Sequence, residues 1–349
     1  MDSRYADTES AEVKHLQRRR PMRNGGLFVA LLALLGPLAS GACTAGDRPE
    51  FLALATAGTG GVYYLLGGSI AEVWSRELPD RVAVAEVTGG SVENLSLLMS
   101  GQVEVAFSMG TNALEAYDAA GDFTGRASGD VLALVALYPN VLQVATLEGS
   151  GVATLSDLAG RRVSVGAPGS GTEVAARTLL EANGISYEDF EPQRLNFNET
   201  ANAIRDGTVE AGFWSAGPPT SSIMDLATVR EIRLLDLEDA EVERTAAVDP
   251  TVSRDIIPSG AYRGMGEDVA TLSTPNILVV RADMPEDLAY ALVRTVLEAQ
   301  AELAGAHPVG SQISAEYTLV ASPIPLHPGA ARYFRENGHD IPDRLLPVP

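Results

Sequence analysis

Two stretches of this chain follow one plan, and that duplication constrains the fold more than any other feature. From Arg162 to Leu180 the sequence reads Arg-Val-Ser-Val-Gly-Ala-Pro-Gly-Ser-Gly-Thr-Glu-Val-Ala-Ala-Arg-Thr-Leu-Leu. Val163 to Val165 predict a short buried strand, and the glycines of Gly166 to Gly171 with Pro168 exclude a helix or strand interior. Ser170 stands three residues before Glu173, the capping-box spacing that opens a helix. The same order occurs earlier, with Phe51 to Ala55 as strand, Ala57-Gly-Thr-Gly-Gly61 as loop and Val62 to Arg76 as helix. The echo continues in Ser100-Gly-Gln-Val-Glu-Val-Ala-Phe107 and Asp206-Gly-Thr-Val-Glu-Ala-Gly-Phe213, which share Gly, Val, Glu and Phe at one spacing. Two copies of strand, Gly loop, helix, strand, helix and strand predict two similar α/β lobes that face each other. Each Gly loop aims free backbone N–H groups and a helix dipole at one spot, a seat for an anion between the lobes.

Between and around the copies, the pattern alternates strands with helices. Arg81 to Val87 reads as a strand, Ser91 to Met99 as a helix, and Val103 to Phe107 as a strand leading into a helix from Ser108. Val131 to Leu137 and Val141 to Leu147 read as two apolar strands around Pro139-Asn140, where the chain first crosses into the second lobe. Residues 252–274 are rich in Pro, Gly and polar side chains and carry no clear element. Pro275 to Arg281 reads as the returning strand, Pro285 to Ala304 as one amphipathic helix, and Ala330 to Gly338 as a terminal helix. The lobe boundaries implied are 46–145 with 272–349 for the first lobe and 146–271 for the second. The acidic run from Asp236 to Glu243 is the solvated face of a helix.

The chain has 349 residues, 46% of them apolar, enough for one or two domains with ample core. A formal net charge of −21 excludes nucleic acid and an anionic membrane surface as partners. It does not exclude a small anion, because local amides act at short range. Arg18, Arg19, Arg20 and Arg23, then Leu27 to Leu35, then small residues Ala39 to Ala42, give the order of a secretory signal peptide in residues 1–45, with Met22 as an alternative start. The single cysteine, Cys43, is a candidate for lipid attachment, with ordinary cleavage near Ala42 or Ala45 as the alternative. The expected location is therefore extracytoplasmic or periplasmic.

Catalytic patterns do not assemble. A dinucleotide fingerprint beginning at Gly58 would need glycine where Tyr63 stands, and neither Gly loop carries the Lys of a P-loop. His15, His307, His327 and His339 are scattered near turns and read as structural or exposed. Gly169-Ser170-Gly171 lacks the spacing of a nucleophile elbow, and no histidine close in sequence would activate Ser170. Neither an enzyme, a cofactor nor a metal is implied.

At Ala57-Gly-Thr-Gly-Gly-Val-Tyr-Tyr64, Val87-Thr-Gly-Gly-Ser-Val-Glu-Asn-Leu95, Val165 to Glu173, Glu210 to Phe213 and Ile324-Pro-Leu-His-Pro-Gly-Ala330, the chain resembles the TAXI-type solute-binding proteins of tripartite ATP-independent periplasmic (TRAP) transporters. The resemblance implies a two-lobed, type II periplasmic-binding-protein fold with the ligand cleft between lobes. It further implies a monomer that delivers a glutamate- or 2-oxoglutarate-like carboxylate or amino acid to an integral-membrane permease subunit; the alternative is a periplasmic sensor feeding a signalling protein. Carried over residue by residue, Thr59, Gly60, Gly61, Tyr64, Ser91, Asn94 and Ser108 would contact the ligand from the first lobe. Ser170, Gly171 and Thr172 would hold its carboxylate from the second, with Trp214 and Ser215 narrowing the pocket. Arg194 and Arg263 are the cations that could add a salt bridge.

Overall fold

The computed structural model describes residues 49–346. The signal segment, its alternative start and Cys43 lie outside the described residues. Strand β1 (Glu50–Ala55) leads through the first Gly loop into helix α1 (Val62–Glu77), followed by β2 (Arg81–Glu86), α2 (Ser91–Met99), β3 (Val105–Met109) and α3 (Gly110–Asp118). Strand β4 (Val131–Leu147) then runs to the second copy: β5 (Arg162–Ser164), α4 (Gly171–Ala182), β6 (Glu191–Gln193), α5 (Phe197–Arg205), β7 (Ala211–Ser215) and α6 (Ser221–Val229). After β8 (Ile232–Leu234), α7 (Asp239–Val248) and β9 (Ser253–Ile257), strand β10 (Val269–Arg281) returns, and α8 (Glu286–Glu298), α9 (Gln300–Ala306), α10 (Ala315–Ala321) and α11 (Pro328–Glu336) complete the chain.

The strand order is β2-β1-β3-β10-β4-β7-β5-β6. β1 pairs in parallel with β2 and β3, and β5 in parallel with β6 and β7, so the duplicated plan gives the same three-strand arrangement twice. The echo residues do the same work in both halves. Gly101 and Gly207 end α2 and α5 in the left-handed conformation that glycine tolerates. The Glu104 carboxylate accepts the Ala53 N–H of β1 at 2.7 Å, and the Glu210 carboxylate accepts the Arg162 N–H of β5 at 2.9 Å. Phe107 and Phe213 are fully buried, each at the centre of its own half.

The two long antiparallel strands β4 and β10 join the halves. Tyr138 and the residues before it belong to a core built from β1, β3, α1, α8 and the C-terminal helices, whereas Leu142 and Val144 belong to a second core with Val163, Leu179 and Phe213. A third cluster around Trp214, Ile223 and Tyr262 flanks the second. β10 changes sides likewise, with Leu272 in the second core and Ile277 to Val280 in the first. Both changes fall at one rung, where Pro139 faces Pro275.

Several local expectations are corrected. Residues 131–147 form one strand through Pro139, not two. A central proline normally forfeits a ladder bond, and here both prolines sit on the same rung, so the disruption is confined to it. The returning strand starts at Val269, six residues before Pro275, and residues 253–257 pair with its first part. That part carried little apolar signal because, apart from Leu272, its buried positions bear hydroxyls: Thr271 donates to the Leu142 carbonyl at 2.5 Å. The helix after Pro285 breaks at Ala299 into α8 and α9, and α10 was not anticipated. α5 starts at Phe197, capped reciprocally by Asn196 and Glu199.

His307 and His327 each precede a proline and cap a helical turn through Nδ1, which accepts from Val309 N–H at 3.3 Å and Gly329 N–H at 3.1 Å. Burial pushes both imidazoles below the usual histidine range, and protonation of Nδ1 would also delete the cap. An imidazole depressed below its unfolded value of about 6.5 binds more protons when unfolded, so its stabilising effect is complete above that pH and declines as the pH falls below it. The denaturation midpoint in urea is therefore expected to drop between pH 7.5 and pH 5, and the double variant His307→Asn/His327→Asn, which keeps a capping acceptor, to flatten that drop. An unchanged slope in the variant would refute the assignment.

Candidate ligand cleft

Three helix starts meet where the halves touch. α1 begins after Gly61 and α2 after Gly90, and neither receives a side-chain cap. Gly90 has φ of +122°, which an L side chain rarely adopts, and this turns the Ser91 end of α2 toward the second half. α4 begins after Ser170, whose Oγ accepts the Glu173 N–H at 3.2 Å. The reciprocal arm of the expected capping box is absent, because the Glu173 carboxylate pairs instead with Arg194 at 2.7 Å. Gly171 is required by contact: a Cβ there would lie 2.6 Å from Met109 Sδ and 2.7 Å from Ser91 Oγ. The N–H groups of Val62, Tyr63, Ser91, Val92, Gly171 and Thr172 form no hydrogen bond to another described residue. Each helix start adds roughly half a positive charge without any cationic side chain.

These starts border a cleft of about 50 Å³. Of the residues singled out from sequence, Gly61, Ser91, Ser170, Gly171, Thr172 and Ser215 line it. The other six lie outside the lining. Thr59 and Gly60 instead fasten the halves together: Asn198 Nδ2 donates to Thr59 Oγ1 at 3.3 Å, and the Ser221 and Ser222 hydroxyls donate to the Gly60 carbonyl at 3.1 Å. Tyr64 is turned away along α1, and the preceding Tyr63 takes its place in the cleft. Asn94 is fully buried behind the first Gly loop, its Nδ2 donating to the Thr56 and Phe107 carbonyls at 2.6 and 2.9 Å. Ser108 is buried with its hydroxyl on the Met109 carbonyl at 2.9 Å, so Met109 faces the cleft instead. Trp214 is a core residue, its indole N–H bonded to Ser222 Oγ at 3.1 Å; strand alternation turns Ser215 to the cleft. Neither cation reaches the cleft: Arg194 is held by Glu173, and Arg263 donates to the Thr228 carbonyl at 3.0 Å.

The crossing strands contribute groups that the sequence reading missed. Tyr138 and Asn140 of β4 line the cleft, beside Phe197 and Asn196 from the start of α5. Their signal was present as Tyr-Pro-Asn interrupting an otherwise apolar run of β4. Tyr138 OH, Asn140 Oδ1 and Ser215 Oγ are buried and have no hydrogen-bond partner. Asn276 Nδ2 is likewise unpaired, although Asn276 Oδ1 accepts from the Tyr63 hydroxyl. Unpaired buried polar groups are costly and uncommon, and several of those among the described residues lie at this junction. Burial pushes the Tyr63 and Tyr138 phenols well above their usual range, so both remain neutral donors.

The arrangement offers hydrogen-bonding groups in fixed directions. Ser170 Oγ is a helix cap, and among the described residues no histidine or carboxylate lines the cleft. Among the described residues no cluster of three or more His, Cys, Asp or Glu is placed to hold a metal, and no helix is long and apolar enough to cross a membrane.

Two α/β halves joined by two crossing strands, with the cleft at the junction, define a two-lobed type II periplasmic-binding-protein fold. Residues 54–338 match the NMT1-like family, and the chain belongs to it. Similar solved structures include the periplasmic aliphatic sulphonate binding protein SsuA from Escherichia coli, at 13% identity and a TM-score of 0.46 over 82% of this chain and 84% of that one. A putative L-cystine ABC transporter protein from Listeria monocytogenes matches at 13% identity and 0.49 over 76% and 99%, and PhnD1 from Prochlorococcus marinus in complex with methylphosphonate at 10% and 0.49 over 76% and 89%. At such distances these likenesses carry no argument about ligand or partner.

The geometry separates supporting from contacting residues. Asn94→Ala removes a buried donor to the Thr56 and Phe107 carbonyls and is expected to lower the unfolding free energy by about 1–3 kcal/mol, whereas Ser215→Ala removes an already unpaired hydroxyl and is expected to leave it unchanged or slightly raised. Urea unfolding of both variants checks this, and a destabilised Ser215→Ala would show that the hydroxyl has a partner.

Proposed function

We propose that the protein is an extracytoplasmic solute-binding receptor that captures a small organic anion between its lobes and delivers it to the membrane subunit of a TRAP transporter. The observation that carries the reading is the set of unpartnered amides at three helix starts, those of Val62, Tyr63, Ser91, Gly171 and Thr172, on residues lining a cleft that also holds unpaired buried hydroxyls. Such amides suit an anion, and their distribution over both halves makes ligand binding and lobe closure one event. The proposed lobes divide where β4 and β10 change cores, at Pro139 and Pro275, a few residues from the boundaries of 46–145 with 272–349 and 146–271 expected from the sequence. Export by the segment in residues 1–45 and a lipid anchor at Cys43 complete the proposal. Membership of the NMT1-like family accords with it, and the TAXI-type resemblance of Ala57 to Tyr64 and Val165 to Glu173 supports the TRAP partner over other importers.

Mature protein from Thr44 onward, screened by thermal shift against carboxylates, is expected to gain about 2.7 kcal/mol of apparent stability at a hundredfold excess of ligand over Kd, and Thr172→Ala to lose that gain. No stabilisation by any organic anion would refute the receptor reading. The transport partner is tested separately: uptake with the co-reconstituted permease should follow an ion gradient, and dependence on ATP would assign the receptor to another importer class.

A further inference from the structure

The cleft that the receptor reading invokes also limits the ligand's chemistry, through what its walls lack. No Asp, Glu, Lys, Arg or His lines it. The acids in the first turns of α2 and α4 are occupied elsewhere, Glu93 by the Gly89 N–H at 2.7 Å and Glu173 by Arg194. One negative charge is met by the amides of α1, α2 and α4. A second carboxylate would be buried without a counter-charge, and so would an ammonium group, either of which is strongly unfavourable.

Size acts in the same direction. The halves are fastened directly to each other by Gly60 with Ser221 and Ser222, by Thr59 with Asn198, and by the Glu93 N–H on the Gly169 carbonyl at 3.1 Å. The volume of about 50 Å³ therefore belongs to the closed form. It is smaller than the roughly 150 Å³ apolar cavity that takes benzene, so it favours compact solutes over longer ones. Glutamate and 2-oxoglutarate are larger and carry the second carboxylate. The unpaired groups supply the last constraint. Tyr138 and Ser215 offer O–H donors and Asn140 an acceptor, a set that an uncharged hydroxyl satisfies in both directions and a keto oxygen in one.

We infer that the cleft takes a short monocarboxylate bearing a hydroxyl or keto oxygen, and rejects dicarboxylates and zwitterionic amino acids; this rests on the receptor reading above.

A matched panel tests each part by calorimetry on the mature chain. Lactate is the probe of the inferred class, pyruvate its keto form, propionate lacks the hydroxyl, lactamide lacks the charge, alanine adds an ammonium and malate adds a carboxylate. Lactate or pyruvate is expected to bind at least tenfold tighter than alanine, lactamide and malate, and several-fold tighter than propionate. Tyr138→Phe and Ser215→Ala should erase the preference over propionate while retaining propionate binding, a pattern that mere destabilisation would not give. Tighter binding of malate, glutamate or alanine would overturn the inference and leave the receptor reading intact. Equal binding of propionate would overturn the hydroxyl assignment. No binding by any member of the panel, with binding of a larger anion, would overturn the inference alone; no binding of any anion at all would overturn both.

Discussion

The rung where Pro139 faces Pro275 is the constraint on which the rest of the structure depends. On one side, β4 and β10 pack into the core built around Phe107 and Trp74, and on the other into the core around Phe213. Because both strands change cores at the same place, two separately packed halves share a single narrow junction. The residues flanking that rung have neither core wholly around them. Tyr138, Asn140 and Asn276 are polar there, among strands that are otherwise nearly continuous apolar runs. A polar side chain at a core position costs stability unless it is partnered; Asn276 Oδ1 finds the Tyr63 hydroxyl, while Tyr138 OH and Asn140 Oδ1 find none among the described residues.

The electrostatics of the molecule operate on two scales. The net charge of −21 creates a field that repels anions at a distance, screened beyond about 8–10 Å at physiological salt. Inside the cleft, the partial charges of helix starts act at contact range in surroundings that exclude water, where they count for more. Binding an anion without a cation has a consequence for selectivity. A guanidinium would favour every carboxylate that reached it, whereas amide pairs with fixed directions reward only an anion of the right size and placement. The cost of unmatched charge then does much of the discrimination.

Much of the architecture was legible because the repeat supplied it twice. The shared Gly, Glu and Phe of Ser100 to Phe107 and Asp206 to Phe213 mark a helix end, a carboxylate on the neighbouring strand's amide, and a core ring, each fixed by local chemistry. The start of β10 was not legible, because Val269 to Thr274 bury hydroxyls that bond across the sheet, and polarity there imitates a loop. Within the cleft, loop residues were placed from the glycine pattern, but helix phase decided which neighbour faces inward. Tyr63 rather than Tyr64, and Met109 rather than Ser108, follow from rotations of one residue that no local signal specifies. Trp214 illustrates the limit differently: the end of a strand near a proline turn suits a ligand contact, but alternation gives that place to Ser215.

The fastening between the lobes is modest in energy. The Gly60 carbonyl with Ser221 and Ser222, Thr59 with Asn198, and Glu93 N–H with the Gly169 carbonyl are all hydrogen bonds whose groups can be rehydrated on opening. Further contacts add to them: Thr111 Oγ1 donates to the Asp249 carboxylate at 2.7 Å, and Phe197 at the start of α5 packs against the first core. On the proposed reading, a molecule that touches both halves at once adds to these contacts. Gly61 and Ser91 on one side and Gly171, Thr172 and Ser215 on the other present their polar groups to one volume, so a ligand anchored on the first side completes its bonds only when the second arrives. On that reading, closure couples occupancy of the cleft to the relative position of the lobes.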